Sequence, residues 1–299
     1  MQKTLLLPAG IIACTALIAC IRIAGTPTDQ TAQRNTTPRS TPDAIIDDVA
    51  ATFRHARIYL PQATQPTTID HIPSGTRHPV IVFLHGCWGM DTDEHHNWAS
   101  LFASLGLLVV MPDSFARSSR KPNCGSLEHN GGEHPHVHPM RLEEVEHAVR
   151  QIRRQPWHDG RHLFLAGYSE GAIAAVRTPT TGLRGVIALS WTCTHRQYPP
   201  LDGIALPRET PLLTIAVDND PWMSTPNLAG DCGQKMTGRP DAQHIALPGQ
   251  PGIVRLAKRA GRKFLNIPID HRENHATSED EHARLEVARF VRRLMTHPS

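Results

Sequence analysis

The run Leu163-Phe164-Leu165-Ala166-Gly167-Tyr168-Ser169-Glu170-Gly171-Ala172-Ile173-Ala174-Ala175-Val176 holds an apolar stretch, a G-x-S-x-G pattern and a helix-prone segment, in that order. The five-residue pattern alone is weak, since it should arise by chance in about one chain in ten of this length. Its setting gives it content. A serine presented on a tight strand-to-helix turn has a crowded backbone, and glycines two positions before and after remove side chains that would collide there. The helix that follows aims its first amides at the serine hydroxyl. Ser169 is therefore a candidate nucleophile, and the backbone N–H of Glu170 a candidate donor to negative charge developing beside it. The Glu170 side chain has no required part in that chemistry.

Short aliphatic or β-branched runs recur on both sides of this turn, at 56–60, 80–84, 107–111, 185–189, 212–217 and 264–269. Several are apolar almost without interruption, as strands buried on both faces of a mainly parallel sheet must be. Leu142, Val145, Val149 and Ile152 recur at three- and four-residue spacing, which predicts a helix over 140–155. Ala283, Val287, Phe290, Val291 and Leu294 form a second stripe, with Ser278 and Glu281 placed as a capping box at its start. Strand and helix alternate, so the expected fold class is α/β, with a mainly parallel central sheet covered by helices on both faces. No internal repeat or second domain interrupts the pattern. A hydrophobic content of 39% and a charged content of 20% fit a folded chain, while 25 prolines and 5% aromatics predict many loops.

The run at 80–84 leads into His85-Gly86-Cys87-Trp88-Gly89, and the one at 107–111 into Pro112-Asp113-Ser114-Phe115. Together with the serine turn, and in the same order, these pieces resemble the α/β-hydrolase superfamily, in particular bacterial dienelactone-hydrolase-like proteins. The resemblance covers residues 50–297. It implies the α/β-hydrolase fold, the Cys87 N–H as second backbone donor, and partners for Ser169 in the chain order serine, acid, histidine. The acid should follow the run at 212–217, where Asp220 fits the family position and Asp218 is the alternative. The histidine should lie in Asp270-His271-Arg272-Glu273-Asn274-His275-Ala276, with His275 preferred over His271. The best-known dienelactone hydrolases carry a cysteine where this chain has Ser169. The implied activity is a serine hydrolase that cleaves a small-molecule carboxylic ester or lactone through an acyl-enzyme, with no cofactor. A serine peptidase or acyltransferase on the same triad, and a non-catalytic binding protein that retains the fold, are the other readings. Arg117 and Arg120 are expected to be solvated loop residues rather than contacts for an acidic substrate.

In the superfamily's strand order Cys87 and Cys124 fall in loops after neighbouring strands, as do Cys193 and Cys232, which implies the disulfides 87–124 and 193–232. The chain has 19 histidines. His134, His136 and His138 would share one face if their segment were extended. A proline-broken tract rarely gives fixed ligand geometry, so a solvated loop that begins the next helix, and no metal site, is expected there. The same expectation holds for His95 and His96 beside Asp91, Asp93 and Glu94.

At the N-terminus Lys3 precedes an apolar run over 5–21, the charged-then-hydrophobic pattern of a signal peptide. Its shortness, with Pro8 and Gly10 inside it, argues against a permanent span. Leu17-Ile18-Ala19-Cys20 is similar to the lipobox of bacterial lipoproteins, in which the cysteine is lipidated; an ordinary cleaved signal peptide is the alternative. Residues 24–43 are rich in Thr, Pro, Gln and Arg, the composition of a disordered tether. The expected organisation is a signal peptide over 1–19, a tether over 20–45 and the α/β domain over 46–299. This implies export to a periplasm or cell surface, with membrane contact only through a lipid at Cys20. An even set of four further cysteines suits an oxidising compartment. The formal charge of +3 comes from 31 basic and 28 acidic residues without a long basic run, which gives nucleic acid no track.

Overall fold

The computed structural model describes residues 42–120, 124, 136–249 and 275–296. The leader, Cys20, most of the expected tether, the run at 264–269, His134 and His271 lie outside the described residues. Helical backbone begins at Pro42, inside the stretch read as tether, and forms α1 over Pro42–Arg54.

One sheet holds β1 Arg57–Tyr59, β2 His78–Leu84, β3 Leu108–Met111, β4 His158–Tyr168, β5 Gly185–Leu189, β6 Leu212–Val217 and β7 Ala242–Leu247. The strand order is β1-β3-β2-β4-β5-β6-β7. Every neighbouring pair is parallel except β1 with β3, which sets Arg57 against Met111 in antiparallel register. The connecting helices are α2 Asp93–Ser104, α3 Val137–Arg153, α4 Glu170–Arg177 and α5 Glu281–Thr296.

Strand periodicity divides the core in two. Val80, Val82 and Leu84 pack with Phe53 of α1, Val145, Val149 and Ile152 of α3, and Ala172 to Val176 of α4. Ile81 and Phe83 belong to the opposite layer, with Trp98 and Phe102 of α2 and Val287, Phe290 and Leu294 of α5. Each fully buried side chain of this kind stabilises by about 1.5–3 kcal/mol, so near-continuous apolar strands are the sequence's direct answer to two covering layers. The close approach of α5 needs a glycine: a Cβ on Gly185 would lie 2.6 Å from Leu294 Cδ1.

Three local features differ from expectation. β7 was not expected, because at this sheet edge only Ile245 and Leu247 are buried and Gln243 and Ala246 face solvent. α2 begins at Asp93, so His95 and His96 lie within the helix that the loop was expected to begin, and His95 is buried instead of solvated. The cap of α5 is Asp280, whose Oδ1 accepts from Ala283 N at 2.9 Å, while Ser278 is occupied elsewhere. The functional consequence of the topology is that the turns after β2, β4 and β6 open at the carboxyl edge of the sheet, where ligands of open α/β sheets bind.

Candidate active site

Ser169 stands alone between β4, which ends at Tyr168, and α4, which starts at Glu170. Its backbone is held at φ 54° and ψ −117°, a conformation that costs a non-glycine residue about 1–3 kcal/mol. The surroundings enforce it. Ser169 N donates to Leu189 O at 2.8 Å, and Ser169 O accepts from Ala172 N at 2.9 Å. A Cβ on Gly167 would lie 2.2 Å from Gly171 O, and one on Gly171 would lie 2.3 Å from Leu84 O. Both glycines are thus required by close backbone approach.

The Ser169 hydroxyl lies 2.8 Å from His275 Nε2, and His275 Nδ1 lies 2.6 Å from Asp220 Oδ2. A carboxylate only accepts, so the His275 proton sits on Nδ1 and Nε2 is left to accept from the serine. All three residues are buried, with exposures of 8%, 5% and 2% for Ser169, His275 and Asp220, which keeps bulk water from competing for these bonds. Asp220 also accepts from Trp222 N through Oδ1 at 2.9 Å. Tyr168 Oη and Ser190 Oγ both donate to His275 O, at 3.3 and 2.6 Å. The alternative acid, Asp218, instead continues the sheet by donating its N–H to Leu247 O at 2.8 Å. Asn219, at φ 57°, turns the chain between the two aspartates.

The turn after β2 lies against the serine: a Cβ on Gly86 would approach Ser169 Cβ to 3.4 Å. The turn that carries Cys87 therefore begins beside Ser169, and Trp88, the next residue, is 59% exposed. His95 holds this turn. Gly86 N donates to His95 Nε2 at 2.8 Å, which leaves the ring proton on Nδ1, 2.5 Å from Thr92 Oγ1. His85 is fully buried, with Nδ1 donating to Gly86 O at 2.6 Å and Nε2 accepting from Ser114 N at 3.1 Å. Burial first, and the Arg141 guanidinium second, push its pKa well below the ordinary imidazole value. It is a neutral structural pin.

Arg117 and Arg120, expected in solvent, are each only 5% exposed. Carboxylates draw them in. Arg120 pairs with Glu170 at 2.7 Å, while Arg117 pairs with Asp48 at 3.2 Å and Glu143 at 2.8 Å. Arg141 completes the cluster, reaching Glu144 at 3.1 Å and His85 O at 2.6 Å. Burial raises the Glu144 pKa even against the opposing pull of Arg141. The sequence reading missed this cluster, because charges from four separate segments meet only after folding.

It also missed Glu94. This carboxylate accepts from Trp98 Nε1, Thr277 N, Thr277 Oγ1, Ser278 N and Ser278 Oγ, at 2.6 to 3.0 Å. It therefore ties the segment just after His275 to the start of α2. The disulfides join Cys87 to Cys124 and Cys193 to Cys232, with Cα separations of 5.3 and 4.9 Å. His136 caps α3 and His138 lies in its first turn, so the next helix begins here as expected, but His138 is 2% exposed rather than solvated. Among the described residues no group of three or more His, Cys, Asp or Glu is placed to hold a metal ion. Among them, too, no helix is long and apolar enough to cross a membrane.

A model of the dienelactone hydrolase family matches residues 68–230, a span that includes Ser169 and Asp220 and stops before His275. The chain belongs to the dienelactone hydrolase family. No curated protein matches it. Among solved structures, this dienelactone hydrolase family member is similar to a dienelactone hydrolase-like promiscuous phosphotriesterase from metagenomic libraries. That pair has a TM-score of 0.51 at 16% identity, over 75% of this chain and 90% of the other. TT1662 from Thermus thermophilus aligns with TM-score 0.49 and 17% identity over 81% and 99% of the two chains. XC6422 from Xanthomonas campestris, described as an α/β serine hydrolase without a lid, aligns with TM-score 0.45 and 17% identity over 81% and 89%. The family and the sheet topology make the protein a hydrolase of the α/β type.

Proposed function

We propose that this protein is an exported serine hydrolase that cleaves a small-molecule carboxylic ester or lactone through an acyl-enzyme. The observation that carries the reading is the unbroken hydrogen-bonded chain from Asp220 through His275 to Ser169. His275 Nε2 takes the Ser169 proton as Oγ attacks the carbonyl carbon, and the carbonyl oxygen becomes an oxyanion. The N–H groups of Cys87 and Glu170 receive that charge; Glu170 is the first residue of α4, so its N–H has no acceptor within the helix. The imidazolium then protonates the departing alkoxide, leaving the acyl group on Oγ. Water repeats the sequence in reverse and frees the acid. Asp220 stays ionised throughout and holds the tautomer.

Export is supported by the leader pattern and by two disulfides, and we place the lipid anchor at Cys20. Mature protein from a bacterial host should carry the mass of a diacylglycerol on Cys20, and an unmodified N-terminus would remove the anchor from the account. Hydrolysis of p-nitrophenyl acetate tests the chemistry. Wild type should turn over, and Ser169→Ala and His275→Ala should each lose several orders of magnitude in kcat. Full turnover by Ser169→Ala would end the reading.

A further inference from the structure

We infer that Arg120 and Cys124 are positioning residues, each anchoring one of the two backbone N–H donors that face the oxyanion. The inference rests on the serine hydrolase reading and deepens it. Glu170 lends its N–H to the site, but its side chain points the other way, into the protein, and is 2% exposed. There Arg120 Nη2 meets Oε1 at 2.7 Å, and Arg141 Nε lies 3.7 Å from the same oxygen. Arg120 is itself held on two more sides. Its Nε donates to Ser114 Oγ at 3.3 Å, and its guanidinium lies 4.8 Å from the centre of the Phe115 ring. Amide and carboxylate of Glu170 share one Cα, so a carboxylate locked by a planar fork fixes where the N–H points.

Four positions on in sequence, Cys124 is bonded to Cys87, the residue of the other donor. His85 and His95 hold the turn at Gly86, and the disulfide is the covalent tie at Cys87 itself. Gly86 and Gly89 flank it without side chains, Gly89 stands at φ 83°, and Trp88 lies mostly in solvent. Donors that stabilise an oxyanion must sit within a few tenths of an ångström of their place to act. Stability alone gives no reason for a buried arginine–glutamate pair here, because a hydrophobic pair of similar volume is often as stable or more so. Fixing a donor does give one.

The first variant is the double replacement Arg120→Met with Glu170→Met, which removes both charges and leaves neither orphaned. Kinetics with p-nitrophenyl acetate are normalised to active sites counted by fluorophosphonate titration. The expected result is a kcat per site lower by about tenfold or more, with KM within about twofold of wild type. Binding of phenylboronic acid, whose serine adduct is tetrahedral, should weaken in parallel. Glu170→Gln, which keeps the side-chain shape, reads the same arm should the double variant not fold. Cys124→Ser reads the other arm and should also lower kcat with KM held. A merely structural role would lower the number of titratable sites or Tm and leave kcat per site unchanged, and that outcome in either arm overturns the inference. Failure of the serine hydrolase reading is seen separately, as wild-type turnover in Ser169→Ala.

Discussion

Two buried glutamates flank the reacting atoms and are satisfied in opposite ways. Glu94 takes five bonds from neutral N–H and O–H donors, four of them on the two residues that follow His275 by two and three positions, whereas Glu170 is met by the guanidinium groups of Arg120 and Arg141. The first arrangement spreads one charge over fixed dipoles belonging to a loop. The second balances charge against charge between separate segments. A net of dipoles cannot be dismantled symmetrically, because removing the carboxylate orphans every donor at once. An ion pair can be, because both partners can leave together.

The largest effect expected on the histidine side comes from Asp220→Asn. An amide donor opposite Nδ1 would favour the wrong imidazole tautomer, so kcat should fall by about 10⁴ while the far-UV spectrum stays native. Next comes the contrast itself. Arg120→Met alone should destabilise by about 3–5 kcal/mol in urea unfolding, and adding Glu170→Met should restore most of that loss. Glu94→Leu should destabilise by a similar amount, with no partner whose removal restores it. Equal recovery in both cases would abolish the distinction.

A pH series sharpens the comparison further. Burial is the leading cause that lowers the pKa of His85, His147, His158 and His244. Their depressed folded values mean that, below the ordinary value of about 6.5, the unfolded chain binds protons the folded one refuses. Stability is therefore retained above that value and lost as pH falls below it, and Tm should drop between about pH 7 and 5. His85→Asn should flatten the slope. The smallest effect is expected at the exposed Arg293–Asp241 pair, 43% and 38% exposed with contacts of 2.7 and 2.8 Å. Arg293→Ala should cost at most about 1 kcal/mol.

What could be read in advance follows the range of the interaction. The serine turn was legible because its glycines, strand and helix are contiguous, and Asp220 and His275 because the resemblance orders them after it. The two cysteine pairs followed from strand order in the same way. Arg120 was read as solvated because nothing near it in sequence shows that Glu170, fifty positions away, will bury it. Glu94 and His95 looked like a polar loop because their partners, at Thr277, Ser278 and Gly86, are supplied by other segments. β7 escaped because an edge strand with one half-buried face lacks the continuous apolar run that marks its neighbours.

The central claim is that Ser169 is an activated nucleophile in the folded protein. Intact-mass analysis after incubation with a fluorophosphonate, followed by peptide mapping, tests it most directly. The account predicts one adduct per chain, on Ser169, absent from Ser169→Ala and formed far more slowly in His275→Ala. Folded wild-type protein that stays unlabelled, or that carries its adduct on another residue, would contradict it.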